Sequence, residues 1–183
     1  KKIILRRGSS INDDVYVTGN VCDSFLGLRV LRNQINLEIY NKYFIKKYYQ
    51  PDLPTKIAPH LNKIATASVD VSDGLVQDLM HICRNSRCGA LIDLSSLPLS
   101  LPCKKAISTN KVKLRDIFSK GDDYQILFTS KRKFRSKIKY LSKTMNLKIS
   151  RIGTTNKDKG ITFKYKNKKL KLPATKMGYT HTF

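Results

Sequence analysis

The chain has 183 residues, enough for one domain with a sizeable core and too few for two full ones. Hydrophobic residues at 40% and charged residues at 27% suit a globular domain, and no apolar run approaches the roughly 20 residues of a membrane helix. The net charge of +23 invites a nucleic-acid reading, but the excess is mostly Lys scattered over predicted helices and hairpins, as an AT-rich coding sequence would leave it. The chain begins Lys1-Lys2-Ile3 with no methionine and no signal peptide, so an upstream segment is expected. The four cysteines, Cys22, Cys83, Cys88 and Cys103, form no C-x-x-C pair. His81, Cys83 and Cys88 fit no standard zinc spacing, so buried free thiols in a reducing cytoplasm are expected.

Residues 1–5 read as the end of an upstream strand or linker, and Asp14 to Gly19 as a strand. Val21, Phe25, Leu28, Leu31 and Ile35 then recur at helical spacing, with core packing as their role. The Tyr- and Lys-rich stretch 36–50 is predicted to hold a second helix stopped at Gln50-Pro51, its tyrosines packed with wet hydroxyls. A third helix is predicted to end near Ile64, before a strand from Ala65 to Val71. After Gly74 the period changes, and Leu75, Leu79 and Ile82 mark an amphipathic helix ending by Ser86 to Gly89. Ala90 to Leu94 reads as a strand, residues 97–102 as an irregular connector, and 104–108 and 114–118 as short helical pieces. Tyr124 to Thr129 is a predicted strand, Lys131 to Met145 a surface helix with a solvated basic face, and Leu147 to Gly153 a strand. Asn156 to Gly160 reads as a hairpin turn into Ile161–Tyr165. This alternation predicts an α/β (α+β) fold, a mixed β-sheet covered by helices.

The chemistry gathers at Val69-Asp70-Val71-Ser72-Asp73-Gly74, where a strand hands over to a helix. Ser72 or Asp73 is the expected N-cap. If Asp70 keeps strand geometry, it and Ser72 point to one side. A helix N-terminus attracts anions, and neighbouring carboxylates bind Mg²⁺, which brings phosphates with it. From the hexapeptide alone, an ordinary capped helix with a solvated Asp70 is the favoured reading.

Three more stretches narrow the choice: Gly121-Asp122-Asp123-Tyr124-Gln125-Ile126-Leu127-Phe128-Thr129, Ala90 to Ser100, and Gly178-Tyr179-Thr180-His181-Thr182-Phe183. Together with the D-V-S-D-G-L run, and with Leu5-Arg6-Arg7-Gly8 leading into Asp14 to Gly19, they resemble the C-terminal part of the thiamine-monophosphate kinases. That family belongs to the superfamily that includes aminoimidazole ribonucleotide synthetase, and the resemblance implies its C-terminal fold. It implies Mg²⁺-dependent transfer of the ATP γ-phosphoryl group to thiamine monophosphate, giving thiamine diphosphate, a task mainly of charge neutralisation and positioning.

By that resemblance Asp70 and Asp73 match the catalytic, metal-binding aspartates, while Ser72 and Arg6 match residues that touch ATP. Asp122 stands where the family has Glu at the thiamine substrate, and Tyr179 matches an aromatic position near the cationic substrate ring. Lys120 and Gln125 depart from the family's G-G-E-D-Y-E-L, and the ending departs from D-H-F by an extra residue. His60 and His81 match nothing and read as structural. Residues 1–13 are expected to end the N-terminal domain or linker, and 14–183 to form the C-terminal domain. The family's N-terminal domain, with most metal ligands and the dimer interface, is absent from this chain. The resemblance therefore implies a cytoplasmic homodimer when full length, without membrane or nucleic-acid partners, and an inactive fragment alone. The rival readings are another phosphoryl-transfer enzyme of the superfamily, a basic RNA-binding module, and a non-catalytic remnant.

Overall fold

The computed structural model of the chain describes residues 3–170. The Gly178 motif, including Tyr179, lies outside the described residues. Among the described residues seven strands form one mixed sheet: β1 (Asp14–Thr18), β2 (Ala67–Asp70), β3 (Gly89–Asp93), β4 (Ile126–Ser130), β5 (Ile149–Asn156), β6 (Gly160–Tyr165) and β7 (Lys168–Leu170). Their spatial order is β2-β4-β1-β5-β3-β6-β7, and every neighbouring pair is antiparallel except β3 with β6. The helices are α1 (Asp23–Leu31), α2 (Asn41–Tyr49), α3 (Ala58–Ile64), α4 (Leu75–Ser86), α5 (Leu101–Ser108), α6 (Leu114–Ile117) and α7 (Arg135–Thr144). The expected mixed sheet with helices is thus the observed fold. None of the described helices is long and apolar enough to cross a membrane.

Helices cover both faces of the sheet, which is why all five residues of β1 are buried. Strand side chains alternate, so Val15 and Val17 join one apolar cluster with Leu26, Phe44, Leu79 and Ile82, and Tyr16 points the other way. There it stacks on Phe128, with ring centroids 5.2 Å apart, in a second cluster with Leu61 and Ile64 of α3 and Ile138 and Leu141 of α7. Asp14 is fully buried on β1 and survives because Arg135 grips it with two nitrogens at 2.6 and 2.7 Å, with Arg151 at 3.2 Å. These guanidiniums hold its carboxyl below the usual range against the burial that would raise it.

Several local expectations are corrected. The buried residues of α1 are Asp23, Ser24, Leu26, Gly27 and Val30; of the predicted stripe Val21 is buried and Phe25 and Ile35 pack against the core, but Leu28 and Leu31 are only half-buried. The cause is the tight seat of α2, whose Phe44 carbonyl comes up against Gly27. α5 starts at Leu101 because the Ser100 hydroxyl accepts the Cys103 N–H at 3.1 Å, which shortens the irregular connector. The strands on either side of α4 share the sheet but are separated by three others. The turn after Asn156 does not close a hairpin. β3 lies between β5 and β6 and takes hydrogen bonds from both, with Gly89 opposite Asn156 on one side and Gly160 on the other.

Candidate active site

β2 stops at Asp70, and α4 begins five residues later. The residue at the N-cap position is Gly74, not Ser72 or Asp73, and it makes no side-chain cap. Its φ of 131° lies in the region that glycine tolerates and side chains resist. The capping is instead done from inside the helix. Asp78, 2% exposed, accepts the Ser72 and Gly74 N–H groups on one oxygen, Oδ2, each at 3.1 Å.

The segment leading into β4 lies against this loop, backbone to backbone. Val71 N donates to the Gln125 carbonyl at 2.8 Å, Tyr124 N to Val71 at 2.9 Å, and Asp122 N to Ser72 at 3.0 Å. A Cβ on Gly121 would lie 2.0 Å from the Ser72 oxygen, so this close approach requires glycine. Asp122 and Tyr124, flanking Asp123, both take positive φ, 68° and 50°. Such left-handed non-glycine residues are costly, and they turn Asp123 inward while Asp122 stays near the loop surface.

Asp123 is 3% exposed and accepts the Cys22 N–H at 2.6 Å and the Ser24 N–H at 3.1 Å, so it caps α1 from the loop that enters β4, the strand beside β1. Burial is the main force that pushes it up to about 7, with the Asp23 and Asp122 charges adding and the two N–H groups opposing. Burial likewise pushes Asp78 up to about 6, against the N–H groups of Gly74 and Ser72 and with help from the Asp73 and Asp70 charges. Asp122 is raised by burial and then by Asp73. The Asp78 and Asp122 carboxyls at this end of α4 therefore feel the charges of neighbouring carboxylates.

Asp70 is exposed at the end of β2, and Ser72, Asp73 and Asp122 are partly buried in the two interlaced loops. Arg6 is exposed and follows Leu5, whose carbonyl accepts the Ser68 N–H at 3.0 Å on the sheet-edge strand β2, two residues before Asp70. Asp78, His81 and Asp123 were not assigned to the site from sequence. Asp73, Asp78 and His81 place their ligand atoms within 4.8 Å of one another, a spread that one cation can bridge. The i, i+3 spacing of Asp78 and His81 on a helix was the available signal, since it puts both on one face. Two carboxylates with Asp70 nearby suit a hard divalent cation such as Mg²⁺, while the imidazole suits transition metals better. Cys83 and Cys88 are buried free thiols and take no part.

No family model matches the chain. The thiamine-monophosphate kinase of Buchnera aphidicola subsp. Schizaphis graminum is 34% identical over 189 residues, covering 99% of this chain and 56% of that protein. A crystal structure of thiamine-monophosphate kinase from Stenotrophomonas maltophilia K279a superposes with a TM-score of 0.79 at 29% identity, covering 87% of this chain and 52% of that one. A solved structure of AaThiL complexed with AMPPCP and TMP gives a TM-score of 0.75 at 28% identity, covering 92% and 52%. The chain spans about half the length of these relatives. Sequence and fold agree, and the chain belongs to the thiamine-monophosphate kinase family.

Proposed function

We propose that this chain is the C-terminal part of an enzyme that moves the γ-phosphoryl group of ATP onto thiamine monophosphate, with Mg²⁺, to give thiamine diphosphate. The observation that carries the reading is the backbone lacing of the Ser72–Gly74 loop to the Gly121–Tyr124 loop, in a chain of this family. It puts the residues assigned to metal and nucleotide beside the one assigned to acceptor. AaThiL, complexed with AMPPCP and TMP, is a relative holding what we read as an ATP analogue and thiamine monophosphate together.

In this reading Asp70 and Asp73 hold Mg²⁺, with Ser72 and Arg6 toward the nucleotide. The ion supplies neutralisation of phosphate charge, which two anionic reactants need before they can approach. The loop's own work is positioning. Asp73 lies at the mouth of the 12-residue helix α4, whose N-terminal dipole favours phosphate. Asp122 faces the acceptor as a shorter carboxylate than the family Glu, and Tyr179 would cover the cationic ring. The catalytic Asp70 and Asp73 act through charge, so no proton carrier is assigned.

Residues 1–13 then join this domain, 14–183, to an N-terminal domain that supplies further metal ligands and a homodimer interface. Buried free thiols at Cys22, Cys83, Cys88 and Cys103 suit a reducing cytoplasm. The test is to incubate the purified 183-residue chain, and separately the chain joined to a relative's N-terminal domain, with ATP, Mg²⁺ and thiamine monophosphate. The joined protein is expected to form thiamine diphosphate and the chain alone to form none. Activity of the chain alone would refute the two-part site, and RNA binding without thiamine-phosphate recognition would favour the rival reading.

A further inference from the structure

We propose that Asp78 is a positioning residue, whose carboxylate holds the Ser72–Gly74 loop so that Asp73 is presented to the cation. The functional side of this inference rests on the kinase reading; the structural side does not. Ser72 N and Gly74 N flank Asp73 and converge on the same Asp78 oxygen, at 3.1 Å each. Two bonds from alternate residues to one atom bracket the residue between them. The bracket is needed because Gly74 at the N-cap has no side chain to cap α4 with and, at φ 131°, contributes no restraint of its own. The opposite side of the loop is closed by the Asp122 N–H on the Ser72 carbonyl at 3.0 Å and by the Ser119 carbonyl, 2.1 Å from where a Gly74 Cβ would sit. With Asp78 in place the loop is held from both sides.

Asp78 is also close enough to Asp73 and His81 to be a ligand itself. Its burial at 2% and the use of Oδ2 by two N–H groups favour the supporting role. The two roles separate under substitution. Because both bonds reach a single oxygen, the carbonyl of Asn can accept both, and only the negative charge is lost. Alanine removes the bonds as well.

The first measurement uses no metal and no activity. Amide hydrogen exchange of the 183-residue chain is followed at Ser72 and Gly74 in wild type, D78N and D78A. D78N is expected to keep the wild-type protection, and D78A to speed exchange at these two amides by about tenfold or more, with strand amides in β1 and β4 unchanged. The second measurement titrates Mg²⁺ in the joined enzyme. D78N is expected within about threefold of the wild-type half-saturating Mg²⁺, and D78A to require about tenfold more, with the acceptor KM unchanged.

Loss of Mg²⁺ affinity in D78N equal to that in D73N would make Asp78 a ligand and overturn the proposal. So would protection at Ser72 and Gly74 that is lost in D78N or kept in D78A. If D78A does not fold, D78N with the exchange readout still decides. A wild-type enzyme that forms no thiamine diphosphate would sink the kinase reading while leaving the exchange test of the bracket intact.

Discussion

Replacing Gly121 with Ala perturbs the junction of the two loops without touching any charged group. The new Cβ would stand 2.0 Å from the Ser72 oxygen and 2.8 Å from both the Asp73 carbonyl carbon and the Gly74 nitrogen. An ordinary C···O contact needs about 3.3 Å, so the loops must part by roughly 1.3 Å. All three obstructing atoms are backbone, and no side chain can rotate out of the way. Parting also stretches the Asp122 N–H bond to Ser72, 3.0 Å long, whose loss costs about 1 kcal/mol. Overpacking adds about 1–3 kcal/mol, so G121A is expected to lose about 2–4 kcal/mol of stability in urea unfolding. In the joined enzyme a displacement of about 1 Å between reacting groups is expected to lower turnover about 10²-fold. Gly160→Ala is the control. Its Cβ meets nothing within 4 Å, though its φ of 85° resists a side chain, so only about 1 kcal/mol of stability and no turnover should be lost. A G121A protein as stable and active as wild type would refute the close seating of the loops.

Asp70→Asn and Asp73→Asn are each expected to cut turnover at limiting Mg²⁺ by about 10²-fold or more while leaving the melting temperature within a few degrees, since both residues sit at an element's end. Normal turnover in either variant would remove that residue from the metal site. Asp122→Ala and Tyr179→Ala should raise the acceptor KM more than the ATP KM, with Asp122→Glu active; an unchanged acceptor KM in both alanine variants would move the pocket elsewhere. Asp123 gives a pH test. Its folded carboxyl titrates at about 7 against an ordinary 3.8, so the folded chain holds a proton that the unfolded chain has released. The group is therefore least costly below pH 3.8, and stability from it falls as pH rises through about 7, by roughly 4 kcal/mol at most. Unfolding midpoints at pH 5 and pH 8 should show a smaller difference in D123N than in wild type. D123N should also be weaker at both, because Cys22 and Ser24 donate to different oxygens and Asn can serve only one.

Much of this protein was legible in one dimension because the information was periodic or local. The 3.6-residue period after Gly74 gave α4, since a residue's side of a helix follows from geometry alone. The ordered motifs carried the family, and with it the assignments of Asp70, Ser72, Asp73 and Asp122. Partners distant in sequence were not legible. Asp123 reads as a turn residue until α1 arrives to use it as a cap, about a hundred positions away. A turn-like run after Asn156 says nothing about β3 lying between the strands it joins. Asp78 and His81 are ordinary helix residues in sequence, and only the fold of the preceding loop back onto α4 brings them beside Asp73. The sequence by itself determined most of the elements and, through its ordered motifs, the family, because propensity and period act over a few residues. Only the tertiary structure decided what each buried carboxylate is for, because desolvation forces a buried charge to find partners, and those partners come from other parts of the chain.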